Sequence, residues 1–376
     1  MKIEFISTSR YPTQKAYGVT LGNTCLAARN LGYSAEITGI SSSGLDEYGN
    51  QVNRLNSRLS SNLFQIVGSS SKGLISRLAF NLLSINIGFL VFKRFRNRES
   101  DLLWLRNTLT TFTLVLLGNR NSKVLEIHHV PRSLNRILMK KLASYEDIQI
   151  VTITERHRTK LNELFPKANI GLAPMATPKE FASNPRSPEL KFPLKIGYIG
   201  KYTSSGNDNG LLKFLNSVSK IKLVQSDFSV DIIGIEAERI PTLNNYLTQD
   251  TFKKISVSVV GAVPHSQIQH ALNAIDIGVV PYEQNAYNDN RFPIKILEYA
   301  STKCLILVSD IDAHRAILDE SKGVFFDPDS PNSLAEAIAW ITQHQSECLA
   351  RIERAYIWAT GFSYENRIIG VLNDVG

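Results

Sequence analysis

Short runs rich in β-branched and aromatic residues alternate along this chain with segments of helical periodicity, and such alternation folds as parallel strands whose crossover helices cover the sheet. The pattern occurs twice. In the first half, strands are predicted at Lys2–Ser7, Ser34–Ile40, Leu102–Leu105, Val124–His128 and Ile148–Thr154, with a helix over Val19–Leu31 that Gly32 closes. Pro174, Pro178, Pro185, Pro188 and Pro193 then fall among polar residues, a density that stops helices and strands from continuing. Beyond them the alternation restarts, with strands at Leu194–Ile199, Val230–Gly234, Ser256–Val260 and Ile277–Val280 and a helix from about Gly210. The stretch Ser346–Val375 reads as helical with a break near Gly361-Phe362-Ser363, so its end is expected to run back to the first half. At 376 residues the chain is also longer than one hydrophobic core usually serves.

The composition excludes several classes. With 43% hydrophobic and 20% charged residues this is a folded globular chain. Cys25, Cys304 and Cys348 are far apart and form no Cys-x-x-Cys pair, which argues against a disulfide framework or a zinc site and fits a reducing cytoplasm. The strand-like Lys2-Ile3-Glu4-Phe5-Ile6 lacks the basic and apolar regions of a signal peptide, so secretion is not expected. The net charge of +8 suits an anionic partner, but the basic residues are dispersed without interleaved aromatics, and nucleic acid is not expected.

In open parallel sheets ligands bind beyond the C-terminal ends of strands, where helix N-termini present free N–H groups to phosphates. No Gly-x-Gly-x-x-Gly follows a strand and no Gly-Lys-Ser/Thr loop is present, so dinucleotide and P-loop sites lose support. The strongest signal is Asn290-Arg291-Phe292-Pro293-Ile294-Lys295-Ile296-Leu297-Glu298-Tyr299-Ala300, followed by the apolar strand Cys304–Val308 and Ser309-Asp310. Pro293 suits a first helical turn, and Glu298 lies about a turn and a half further on, near enough to that terminus to meet a ligand there.

This segment resembles glycosyltransferase family 4. The likeness extends to Gly18 and its helix, to Gly32-Tyr33-Ser34-Ala35-Glu36-Ile37, to Asp101–Arg106 as a buried strand ending on an arginine, to Glu126-Ile127-His128-His129-Val130-Pro131 as a strand ending in a histidine, to Thr152-Ile153-Thr154, and to Ala274–Tyr282. The resemblance implies an α/β chain of GT-B architecture, two Rossmann-like domains with parallel sheets facing across a cleft. Residues 1–175 would form the acceptor-binding domain, joined by the returning helix at about 360–376; residues 176–193 would be the linker and residues 194–359 the nucleotide-sugar domain. It implies retaining transfer from a UDP- or GDP-sugar to a glycan or lipid-linked acceptor in cell-surface polysaccharide synthesis, with no cofactor and no metal. The alternatives are a non-catalytic scaffold of this fold and a sugar-nucleotide epimerase.

By the same resemblance His128 and Lys201 would be catalytic, and Gly18, Gly200, Lys201, Asn290, Phe292, Pro293, Ile294, Lys295 and Glu298 would bind the donor. Glu298 would hold the ribose hydroxyls and His128 would reach the transferred sugar. Two positions depart from the family pattern: Gly206 stands where a second lysine is usual, so that Arg291, Lys295 or backbone N–H groups would replace it, and Asn290 stands where a second glutamate is common. A metal role for His128 is disfavoured, because His128 and His129, adjacent on a strand, point to opposite faces.

The apolar run Leu78–Phe92 is about 15 residues long and includes Asn81, Ser84 and Asn86, too short and polar to span a bilayer, which needs about 20 apolar residues. Lys72, Arg77, Lys93, Arg94, Arg96 and Arg98 flank it. The expectation is a cytoplasmic protein in which this helix packs on the first sheet or lies in the surface of an anionic membrane.

Overall fold

Both halves of the alternation are present as parallel sheets in the computed structural model. It describes residues 1–9, 11–13, 15–40, 43–55, 58–69, 73–96, 100–204, 207–221, 228–253, 255–330 and 332–375, without the side chains of 58, 68–69, 204, 207–208, 265–266, 290 and 374–375. Lys72, Arg98 and Gly206 lie outside the described residues. The chain divides into two units, Met1–Pro174 with Tyr364–Gly376, and Met175–Ser363.

Unit 1 runs β1 (Lys2–Ile6), α1 (Ala16–Asn30), β2 (Ser34–Gly39), β3 (Gly44–Leu45), β4 (Gln51–Arg54), α2 (Arg58–Ser69), α3 (Leu74–Phe95), β5 (Leu102–Leu105), α4 (Thr108–Leu116), β6 (Ser122–Ile127), α5 (Ser133–Leu142), β7 (Ile148–Thr152), α6 (Glu155–Leu164) and β8 (Ile170–Leu172). Among the described residues these strands form one sheet in the order β3-β4-β2-β1-β5-β6-β7-β8, parallel except for β3 on β4. Strands β5 and β7 are buried at every residue, as strands covered on both faces must be. Asn107 and Thr154 cap α4 and α6 by accepting from the N–H groups of Thr110 and His157.

Unit 2 runs α7 (Lys179–Ser183), β9 (Leu194–Ile199), β10 (Thr203–Ser204), β11 (Asn207–Asp208), α8 (Leu211–Val218), β12 (Phe228–Ile235), α9 (Ile240–Leu247), β13 (Ser256–Gly261), α10 (His265–Asn273), β14 (Ile277–Val280), α11 (Ile294–Ser301), β15 (Leu305–Ser309), α12 (Asp312–Arg315), β16 (Val324–Phe326), α13 (Ser333–Gln343) and α14 (Gln345–Ala359). Its described sheet is parallel in the order β13-β12-β9-β14-β15-β16, and β10 pairs with β11 as a separate hairpin. The last helix, α15 (Tyr364–Val375), counts with unit 1 and packs against α1.

Two segments differ from the sequence expectation. The proline-rich stretch read as a linker carries α7 and is fastened within unit 2. Arg186 donates to the carbonyl of Ile275 and to Asp276 (2.6 and 2.8 Å), and Tyr356 donates to the carbonyl of Ala182 (2.8 Å). Proline bars regular structure but not packing.

The apolar run expected as about 15 residues is a 22-residue helix, α3, with a mean hydropathy of 1.7 over its most apolar window, so by length and composition it is long enough to cross a membrane. The cations at its ends extend the helix instead of stopping it, because Arg and Lys are good helix formers. One side of α3, Leu83, Ile87, Val91 and Phe95, is buried with Ile6, Leu103 and Leu105 of the sheet.

Candidate active site

In unit 1 the polar centre lies at the ends of β5 and β6. Strand side chains alternate faces, so Trp104 and Arg106 share a face, as do Glu126 and His128 on the neighbouring strand, where Trp104 pairs with Val124. The Glu126 carboxylate, only 2% exposed, accepts a hydrogen bond from Trp104 Nε1 (2.8 Å) and lies 2.8 Å from Arg367 of α15 and 3.6 Å from Arg106 Nε. Trp104 takes Oε2, while Oε1, which faces both arginines, also meets His128 Nε2. Arg106 Nη2 lies 2.6 Å from His128 Nε2 and 2.9 Å from Nδ1, and its guanidinium rests 4.8 Å from the centre of the Tyr17 ring.

Burial disfavours charge on Glu126, but Arg367, then Arg106 and His128, outweigh it and hold the carboxyl well below the usual range. Burial, with Arg106, pushes His128 down to about 4 against the opposing pull of Glu126. At neutral pH the ring is therefore uncharged. A neutral imidazole offers one lone pair and one N–H, which suits a donor guanidinium on one side and an acceptor carboxylate on the other. Its side chain is 21% exposed, so a held but reachable polar tip ends β6, while His129 is turned out to solvent.

Gly18 sits inside the first turns of α1, one residue after Tyr17. A Cβ there would lie 2.3 Å from the Thr13 carbonyl oxygen, so only glycine fits. It belongs with His128 to unit 1; the other donor residues expected from the sequence are in unit 2.

In unit 2, β9 delivers Gly200 and the exposed Lys201 to the C-terminal edge of the sheet, where the N–H of Gly200 donates to Ile233 (2.8 Å). The Lys201 carbonyl accepts from Tyr198 (2.6 Å) and from Asn209 (2.8 Å). Asn209 in turn accepts from Arg291 (3.0 Å), whose other nitrogen donates to the Tyr282 hydroxyl (3.2 Å). The Lys201 loop and the turn Asn288–Asn290 are thereby joined through one guanidinium. Next to Asn209, Gly210 has φ +79° at the head of α8, where a Cβ would fall 1.8 Å from the Pro281 carbonyl oxygen.

Pro293 is the cap residue of α11, one position earlier than the first-turn site expected, with Phe292 buried before it and Ile294 and Lys295 opening the helix. Glu298 is 5% exposed, and Lys295 donates to its carboxylate. The following Tyr299 lies on the sheet. Its hydroxyl accepts from the N–H of Ile199 (3.1 Å), and its ring occupies the space a Cβ on Gly278 would need, 2.2 Å away. That contact ties α11 to the strand carrying Gly200 and Lys201. Asn290 closes the turn ahead of the helix; its side chain lies outside the description.

His314 of α12, absent from the sequence reading, is fully buried beside Tyr282, their ring centres 5.6 Å apart. Its Nδ1 donates to the Ser309 carbonyl (2.7 Å), and Nε2 has no hydrogen-bond partner among the described residues. Burial pushes it down to about 4. Among the described residues no group of three or more His, Cys, Asp or Glu is placed to hold a metal ion. What unit 2 presents at its strand ends is a helix N-terminus, two cations and a buried carboxylate, a set suited to a diphosphate and a neighbouring diol.

These two α/β units have the GT-B fold of glycosyltransferases. The whole-chain likeness to a glycosyltransferase from Rickettsia africae ESF-5 has a TM-score of 0.73 at 17% identity, over 100% of this chain and 97% of that one. Sucrose-phosphate synthase from Thermosynechococcus elongatus gives 0.72 at 12% identity, over 98% and 96%. HepE of Anabaena, solved with UDP and glucose, gives 0.70 at 12% identity, over 99% of each chain. Residues 193–344 match the family described as glycosyl transferases group 1, so most of unit 2 is such a domain, and the protein is a glycosyltransferase. A search of curated proteins gives no match.

Proposed function

We propose that the protein transfers a sugar, with retention of configuration and without a metal, from a nucleoside diphosphate sugar to a glycan or lipid-linked acceptor in cell-surface polysaccharide synthesis. The observation that carries the donor assignment is Glu298, buried in the second turn of α11, a helix preceded by Arg291, which is joined through Asn209 to the Lys201 loop. Structures of HepE with UDP-glucose and of a trehalose-6-phosphate enzyme from E. coli with UDP-2-fluoro glucose share the fold, and support a nucleotide-sugar donor here.

In this reading Glu298 accepts hydrogen bonds from the ribose hydroxyls, and N–H groups of Ile294 and Lys295 meet the diphosphate. Lys201 and Arg291 stabilise the charge that grows on the diphosphate as the glycosidic bond breaks. Arg291 takes the place of the cation missing at Gly206. Gly18 and Gly200 leave room for backbone to approach the donor, and Asn290 and Phe292 border the sugar. Neutral His128, held by Glu126 and Arg106, hydrogen-bonds to the transferred sugar.

The enzyme would work at the cytoplasmic face of an anionic membrane. Incubation with UDP- and GDP-sugars, cell-envelope acceptors and a chelator, followed by NMR of the new linkage, tests this. Retention with the chelator present is expected; inversion, or a requirement for added metal, overturns it.

A further inference from the structure

The positive charge of this chain is concentrated where its apolar surface is. Lys and Arg number 42 against 34 Asp and Glu, a net +8. Between Glu47 and Glu99 there are eight basic residues and no acidic one, and between Glu126 and Glu146 there are four and none, so these two segments carry +12 and the rest of the chain −4. The first segment contains α2 and α3, and the second contains α5.

The outer side of α3 is uncovered in unit 1. Leu74, Ile75, Leu78, Leu82, Ile85 and Phe89 are between 42% and 73% exposed. At 100° per residue they fall within one arc of about 100°, opposite Leu83 and Ile87, and extend roughly 22 Å along the axis. Lys93 and Arg96, both exposed, continue the arc at its end. A stripe of large apolar side chains is uncommon on a soluble surface unless something covers it.

The N-terminal half of α3 adjoins α5 across a groove of about 700 Å³ lined by Arg77, Phe80, Arg132 and Leu134 among others. Along α5, Leu134 and Ile137 are exposed beside Arg136, Lys140 and Lys141.

We propose that unit 1 docks on an anionic bilayer with α3 lying in the interface plane, its outer apolar arc among the acyl chains and the cations of α3 and α5 on the lipid phosphates. This rests on the membrane contact put forward above and assigns its surface. Charge complementarity selects the occupant, since the eight cations of the first segment and the four of the second, with no acid inside either segment, match an anionic lipid surface and would repel a second copy of the same face. The helix does not span, because its inner side is packed on β1 and β5. An interfacial helix of this kind needs both burial of its apolar face and attraction to headgroups.

The test is co-sedimentation of the full chain with phosphatidylglycerol-containing and pure phosphatidylcholine vesicles at low and high salt, for the wild type, Leu82→Glu/Phe89→Glu and Arg136→Glu/Lys140→Glu. Binding to anionic vesicles only is expected, weakened by salt. The apolar pair should lose at least tenfold in partitioning, and the charge reversals about fivefold or more per cation. Nucleotide release from a soluble donor should be unchanged in both variants, which separates this surface from the transferase reading. Absence of wild-type binding to anionic vesicles at low salt overturns the proposal, as does undiminished binding of Leu82→Glu/Phe89→Glu or a dimer in sedimentation velocity that this variant abolishes.

Discussion

Arg367 on the final helix ends 2.8 Å from the Glu126 carboxylate on β6, both side chains 2% exposed, so the C-terminal helix is pinned to the strand that ends in His128. Burial first, and then Arg106 with a smaller push from Arg367, keep His128 neutral against the pull of the carboxylate. Arg367→Met removes one partner of a buried pair and is expected to lower unfolding stability by about 3–5 kcal/mol. Urea titration of the variant checks this; a loss below about 1 kcal/mol contradicts the assigned pairing.

Glu298→Ala should weaken UDP or GDP binding about 10- to 100-fold, the effect of losing about 1.5–3 kcal/mol of hydrogen bonding to a charged acceptor. Lys295→Met, which removes only the partner of Glu298, should change affinity less. Equal losses in both would assign the effect to the ion pair and not to the ribose contact.

Lys201→Met and Arg291→Met are each expected to lower kcat about 100- to 1,000-fold while donor affinity changes little, because charge on the leaving diphosphate grows toward the transition state. A purely structural role for Arg291, bridging Asn209 and Tyr282 through two nitrogens, predicts instead that Arg291→Lys, which keeps the charge but not the fork, restores no turnover.

The arrangement around Glu298 was legible in part. The Pro-x-Lys-x-x-Glu-Tyr spacing marks a helix start with a carboxylate near it, and most predicted strand cores coincide with observed strands, Leu102–Leu105 and Leu194–Ile199 to the residue. Glu126 was readable in principle, as a carboxylate two positions before His128 between the apolar Leu125 and Ile127 of β6. Its partner Arg367 was not, since 241 residues separate them and nothing local links a helix near the C-terminus to β6. His314 gave no signal because its role depends on Tyr282 and Ser309 being folded against it. The apolar run Leu78–Phe92 is shorter than α3 because the helix continues through Leu74–Arg77 and Lys93–Phe95, where cations interrupt the run without breaking the helix.

Gly278→Ala places a methyl group in the Tyr299 ring and should destabilise unit 2 by about 1–3 kcal/mol through overpacking. Since Tyr299 anchors α11 to β9, nucleotide affinity should fall with it. Differential scanning calorimetry with and without UDP checks both; full stability in the variant contradicts the placement of Tyr299.

His314 and His128 both have folded pKa values of about 4, below the 6.5 of the unfolded chain. The unfolded state therefore binds more protons between these values, and stability that is complete above pH 6.5 is lost as pH falls toward 4. A protonated His314 would bury a charged Nε2–H with no acceptor among the described residues. His314→Asn, which keeps a donor for the Ser309 carbonyl, is expected to flatten the acid limb of Tm against pH by about 5 °C. An unchanged limb rules His314 out as its source.

The central claim, that unit 2 holds a nucleoside diphosphate sugar against Glu298, is tested most directly by calorimetric titration of the full chain with UDP, GDP and their glucose and mannose conjugates, for the wild type and Glu298→Ala. Saturable binding of one nucleotide and its sugar below millimolar concentration is expected, weakened at least tenfold by Glu298→Ala. No binding of any of them at millimolar concentration, or binding that Glu298→Ala leaves unchanged, contradicts it.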